Sequence, residues 1–173
     1  MKNIIFFISL LMLISCGSNS FLTSTKVPVK CPTVLFAAEH KKYLGSNFSS
    51  ISQDDIAYNA EINNYNFLMG CFINDNFFSA SLSILFIAKP LMEKQNFITL
   101  PFYLAILDKN NKVRDIQYYY AEGNFKKNTE TEIMEFIETD LSKTILIEIT
   151  DFEENMTIVL GFMLDKKQLE ILN

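Results

Sequence analysis

The sequence predicts an all-β domain, an antiparallel β-sandwich of about seven to nine strands with one short helix at its C-terminal end. Three observations carry that expectation. Beyond residue 31 apolar residues recur at every second position, polar turn-forming clusters separate the alternating runs, and only the tail shows helical spacing. Strands that are apolar on one face bury it by packing two sheets together, which gives an immunoglobulin-like layering.

The elements follow in chain order. Ile56, Tyr58, Ala60 and Ile62 alternate with Asn59, Glu61 and Asn63, and residues 67–73, which carry Cys71, read as a neighbouring strand. The clearest strand sets Phe78, Ala80, Leu82, Ile84, Phe86 and Ala88 on one face against Ser79, Ser81 and Ser83, and stops at Pro90. Residues 102–107 and 113–120 are apolar runs joined by Asp108-Lys109-Asn110-Asn111-Lys112, which is the turn chemistry of a hairpin. Residues 133–137, 145–149 and 157–164 complete the set. Asp165 then caps a helix from Lys166 to Leu172, with Leu169 and Leu172 facing inward at a spacing of three.

The N-terminus has a different character. Met1-Lys2-Asn3 is a cationic start, and residues 4–14 are apolar apart from Ser9, too short a run for a permanent span and the right length for an export signal. Leu13-Ile14-Ser15-Cys16 resembles the bacterial lipobox, with Leu three positions before the Cys and a small residue directly before it. That resemblance implies cleavage before Cys16, a diacylglycerol thioether on its sulfur and an acylated amine. Two or three chains, at about 0.8 kcal/mol per buried CH₂, make a stable membrane anchor. No Asp follows Cys16, since Gly17 and Ser18 come next. By the same resemblance this implies the outer membrane, with the protein facing the periplasm. Three segments are therefore expected: a signal over residues 1–15, a lipidated end and Ser/Thr-rich tether over 16–30, and the sandwich over 31–173.

Assigning Cys16 to lipid leaves Cys31 and Cys71 as an even pair in an oxidising compartment, where a disulfide is expected. The alternative is a pair of buried free thiols. A zinc site is a poor rival, because the chain has no CxxC and its only histidine is His40.

Four blocks together resemble a group of uncharacterised lipoproteins from alphaproteobacteria. They are Cys31-Pro32-Thr33-Val34, the stretch Asp55 to Ile62 with Tyr58-Asn59-Ala60-Glu61-Ile62 at its end, Pro101 to Ile106, and Gly161-Phe162-Met163-Leu164 with Gln168-Leu169. Asn59 stands where that group usually has Glu, and Met163 where it has Gln. The resemblance implies the lipoprotein class and the cysteine pair, and no activity.

Composition narrows the function. A chain of 173 residues with net charge −5 supports one domain, and its acidic balance argues against nucleic acid, which needs cations to displace counterions. With one His and five Gly, the chain carries none of the hydrolase, nucleotide-binding or calcium-loop motifs. No catalytic residue, cofactor or metal ligand is nominated. His40, in Glu39-His40-Lys41-Lys42, reads as a solvated surface residue. The acidic residues Glu130, Glu132, Glu135, Glu138 and Asp140 read as edge charges that deter sheet-to-sheet pairing. Tyr118-Tyr119-Tyr120 is the one candidate partner surface, since alternation buries either Tyr119 or its two neighbours. The expected function is a non-enzymatic, lipid-anchored structural or interaction module that engages another envelope protein. The alternative is a carrier of a lipid or other apolar ligand, which would need a cavity of several hundred Å³ between the sheets.

Overall fold

A computed structural model describes residues 26–46, 55–74, 77–93, 95–128 and 135–172. The export signal, Cys16, Glu130, Glu132 and residue 133 lie outside the described residues. Eleven strands occur among them: β1 Lys26–Val29, β2 Thr33–Phe36, β3 Lys42–Ser46, β4 Ile56–Asn74, β5 Phe77–Pro90, β6 Phe97–Leu107, β7 Val113–Asn124, β8 Lys126–Lys127, β9 Phe136–Ile137, β10 Thr139–Thr150 and β11 Thr157–Phe162. A 3-10 turn spans Ala38–His40, and helix α1 spans Lys166–Leu172. The first sheet has the order β1-β4-β5-β10 with β3 also on β4, the second has β2-β11-β6-β7, and β8 pairs with β9.

The all-β sandwich is therefore as the sequence predicts, with more strands because β1, β2, β3 and β8, at two to five residues, are too short to display a period. The hairpin at residues 102–120 is present. Asp108 Oδ1 accepts from the Asn110 and Lys112 amides at 2.8 and 2.9 Å, and Asn111 takes the left-handed conformation that Asn tolerates (φ 61°). The two backbone bonds hold the Asp108 carboxyl below its usual range, the Lys112 amide first.

Three expectations change. Residues 56–62 and 67–73 are not neighbouring strands but one strand, β4, whose register shifts at Ile62/Asn64 and again at Phe67/Cys71. The first bulge displaces the alternation by one residue and the second inserts two more, which breaks the pattern in sequence while the backbone continues. The tether does not extend to residue 30, because Lys26–Val29 pair with Cys71–Asn74 as an edge strand of the first sheet. One pairing is parallel, that of β2 with β11. The chain crosses between sheets at Cys31 and Pro32, so β2 continues in the direction set by β1 and comes to lie beside β11.

The core lies between the sheets. Phe78, Leu82, Ile84 and Phe86 of β5 face Phe102, Leu104, Ile158 and Phe162 of the second sheet, each fully buried. Phe86 packs against Phe102 and Phe162 with ring centroids 5.2 and 5.7 Å apart. Cys31 and Cys71 form a disulfide with Cα atoms 5.2 Å apart, tying the crossover to the first sheet. Helix α1 is closed at its start by a reciprocal pair: Asp165 Oδ1 accepts from the Gln168 amide, and Gln168 Oε1 accepts from the Asp165 amide, both at 2.8 Å. The inward residue of this helix is Gln168, whose Nε2 donates to the Leu44 carbonyl at 2.7 Å, while Leu169 and Leu172 are half-buried. A side chain with both amide ends bonded can be buried without loss.

Tyr58 joins the sheets at their rim. Beyond Phe102, strand β6 has no β11 neighbour, and there Tyr58 Oη donates to the Thr99 carbonyl at 2.7 Å and accepts from the Thr99 amide at 3.1 Å. Burial pushes this phenol from 10.0 up to about 12. The folded state thus holds the proton more tightly than the unfolded chain, and this contribution is complete below pH 10.0 and lost as pH rises through about 12. In an alkaline titration, stability to denaturant falls across that window in the wild type and falls less steeply in Tyr58→Phe; equal slopes would contradict the assignment.

Candidate functional site

The outer faces of the two sheets differ in chemistry. Outside the first sheet, every β5–β10 row carries a polar residue: Ser79 with Glu148, Ser83 with Thr144, and, with one apolar member each, Ser81 with Leu146, Leu85 with Ser142 and Ile87 with Asp140. Outside the second, the central cross-strand rows are apolar. Leu35, Val159, Ala105 and Ile116 lie side by side across all four strands, and Gly161, Tyr103 and Tyr118 form the next row. Pro101 stands opposite Tyr120, and Leu107 and Val113 continue a row that begins with Thr33 and Thr157. Leu35, Val113, Ile116, Tyr118 and Tyr120 are all at least 40% exposed, Tyr118 most of all at 63%. No charged side chain occurs in these rows.

The local sequence explains this face. Strand β5 alternates Phe and Ala with Ser, so one side is wet. Phe102-Tyr103-Leu104-Ala105-Ile106-Leu107 and Ile158-Val159-Leu160 do not alternate, and an antiparallel strand apolar at both parities has an apolar outer face as well as a buried inner one. Strands β11, β6 and β7, spaced at about 4.8 Å with six or so residues each at about 3.3 Å, cover roughly 14 by 20 Å, and the four-residue β2 adds a shorter margin. That matches the largest apolar patches of monomeric proteins, which commonly serve function.

Alternation resolves the tyrosine triplet. Tyr119 turns inward, stacks on Phe102 at 5.5 Å and donates to Gln117 Oε1 at 2.6 Å, with its phenol pushed up mainly by burial and secondarily by Asp115. Tyr118 and Tyr120 turn outward. Tyr103 lies across Gly161, where a side chain would come within 2.6 Å of its hydroxyl, and its phenol is likewise pushed up by burial. Reading the triplet alone misses Leu35, Tyr103, Ile116 and Val159. The available signal was the loss of alternation in β6 and β11.

His40 is not simply solvated. Its Nδ1 lies 2.9 Å from the Phe162 carbonyl and its ring meets Tyr103 edge-on at 5.8 Å, so it fastens the 3-10 turn to the end of β11. Among the described residues, no group of three or more His, Cys, Asp or Glu could hold a metal ion. Clefts of about 380, 440 and 480 Å³ lie at the margins of the sandwich. The largest is lined by Cys31, Pro32, Phe152 and Met156 at the crossover, and none is lined by Phe78, Phe86, Phe102 or Phe162. No protein-family model, no curated protein and no solved structure matches this chain.

Proposed function

We propose that this chain is a lipid-anchored envelope protein, held through Cys16 and related to the alphaproteobacterial lipoproteins it resembles, whose second sheet docks another envelope protein. The observation that carries the docking role is the contrast between the outer faces: every β5–β10 row carries a polar side chain, whereas the central rows of β2, β11, β6 and β7 are apolar. A solvated sheet face gains nothing from Leu35, Ile116, Tyr118 and Tyr120, whereas a partner that covers them removes apolar area worth about 25 cal/mol per Å² from water. Tyr118 and Tyr120 suit such a contact, since each offers a large rigid ring with a hydroxyl for the rim. The fit is to a flat apolar partner surface, because the middle rows offer no charge to pair. The role is binding, with the packed inner layer serving as a rigid support.

The test is site-specific photo-crosslinking in intact cells. A photoreactive amino acid at Tyr118 is expected to yield one discrete crosslinked species, lost when Ile116→Asp is added, while the same group at Thr144 on the polar face yields none. Cys16→Ser in the same strain is expected to remain uncleaved and unlabelled by fatty acid. Equal crosslinking from Tyr118 and Thr144 would sink the docking face; normal maturation of Cys16→Ser would sink the anchor.

A further inference from the structure

The second bulge of β4 is unusual in its side chains. Phe67 pairs with Leu82 and Cys71 with Ala80, so Leu68, Met69 and Gly70 together stand opposite the single residue Ser81. Gly70 takes a left-handed conformation (φ 76°) that permits the excursion. Leu68 is 52% and Met69 74% exposed, the latter the most exposed large apolar residue described.

Among the described residues, no strand pairs with the bulge on this edge. Strand β3 pairs with β4 no further than Glu61, and β1 resumes the pairing only at Cys71. A bulge by itself blunts such an edge against strand addition. That purpose needs the backbone excursion and not two long apolar side chains, which polar residues could replace without loss.

Charge supplies the second observation. Residues 62–74 contain no Asp, Glu, Lys, Arg or His, Glu61 and Asp75 bound them in sequence, and the adjoining β1 segment Lys26-Val27-Pro28-Val29-Lys30 carries two cations. Lys26, Val27 and Lys30 are exposed. In a protein of net charge −5, the β1 half of this edge is cationic and the crest at Leu68 and Met69 is apolar and uncharged.

Position supplies the third. Cys16 lies ten residues before Lys26 (26 − 16), a span of at most about 33 Å. Met69 lies five residues along β4 from Asn74, the partner of Lys26, or about 17 Å. An anchor at Cys16 therefore keeps the whole edge within reach of the surface that holds the lipid.

We propose that the β1–β4 edge rests on the bilayer, with Leu68 and Met69 entering the interfacial zone and Lys26 and Lys30 meeting anionic headgroups. This rests on the anchored reading of Cys16. It orients the domain, because the edge that carries β1 is turned toward the lipid and the outer face of the second sheet is left free for a partner.

The experiment uses the full lipidated protein in vesicles of phosphatidylethanolamine and phosphatidylglycerol. With Cys16 acylated and Cys31 and Cys71 bonded, Met69→Cys supplies one free thiol for a polarity-sensitive fluorophore, and Thr144→Cys on the polar face supplies the control. The expected result is a blue-shifted emission from the Met69 probe that is quenched by nitroxide-labelled lipid, with neither effect at Thr144. The shift is expected to weaken in Lys26→Glu/Lys30→Glu and in vesicles lacking phosphatidylglycerol. If the protein floats with vesicles but the Met69 probe emits as in water, the edge proposal fails and the anchor stands. If the protein does not float, the anchor reading fails, and the edge proposal with it.

Discussion

Removing the Cys31–Cys71 bridge, as Cys31→Ala/Cys71→Ala, lowers the unfolding free energy by about 4 kcal/mol and the melting temperature by roughly 10 to 15 °C. The bond closes a loop of 40 residues in sequence. On the chain-entropy model it restricts the unfolded ensemble, and in the fold it fixes the point where the chain changes sheets. Strand β1 has only four pairs with β4, and β2 only four with β11. Without the bond, each is a short edge held at one end. Cys71 is 2% exposed and Ala fills most of its place, so the double substitution reports the missing link more than a cavity. Thermal unfolding with and without reductant checks this. A melting temperature that reductant leaves unchanged would show the bond to be dispensable.

Gly45→Ala has an effect of similar size by a different route. A methyl group at Gly45 would coincide with the ring of Tyr58. The ring cannot simply turn aside, since Tyr58 is 5% exposed, contacts Tyr43 and Phe125, and holds Thr99 through both bonds of its hydroxyl. Forcing it out combines overpacking, about 1 to 3 kcal/mol, with an unpaired Thr99 amide and carbonyl, about 1 to 3 kcal/mol more. The expected loss is about 3 to 5 kcal/mol. Coupling makes the test specific: in a Tyr58→Ala background the obstructing ring is gone, and Gly45→Ala is expected to cost less than about 1 kcal/mol. Denaturant melts of the four proteins decide it. Additive losses would mean that Gly45 serves some purpose other than seating Tyr58.

Much of the fold is legible in the sequence because the first sheet has one wet side. Phe78, Ala80, Leu82 and Ile84 alternate with Ser79, Ser81 and Ser83 and all four are buried, while Leu85 and Ile87 break the pattern on the outer side. The Asp108–Lys112 turn is legible because Asp and Asn bond their own backbone. The apolar outer face of the second sheet shows in the sequence only through Tyr118 and Tyr120. Its remaining residues are ordinary strand formers, and whether Val159 or Leu160 faces outward depends on which sheet lies behind them. His40 was misjudged for a related reason, since its charged neighbours conceal a partner, Phe162, that is 122 residues away in sequence.

By itself the sequence determined the strand-rich class, the hairpin, the capped tail helix, and the pairing of Cys31 with Cys71 once Cys16 is set aside. These follow from local periodicity, turn chemistry and counting, all of which act over a few residues or none. Only the tertiary structure decided that residues 56–74 form one bulged strand, that residues 26–29 join the sheet, that β2 runs parallel to β11, and that the second sheet's outer face has apolar central rows while each β5–β10 row carries a polar residue. Each of these depends on what lies across a sheet or between two sheets, and a residue's own neighbours in the chain do not carry that information.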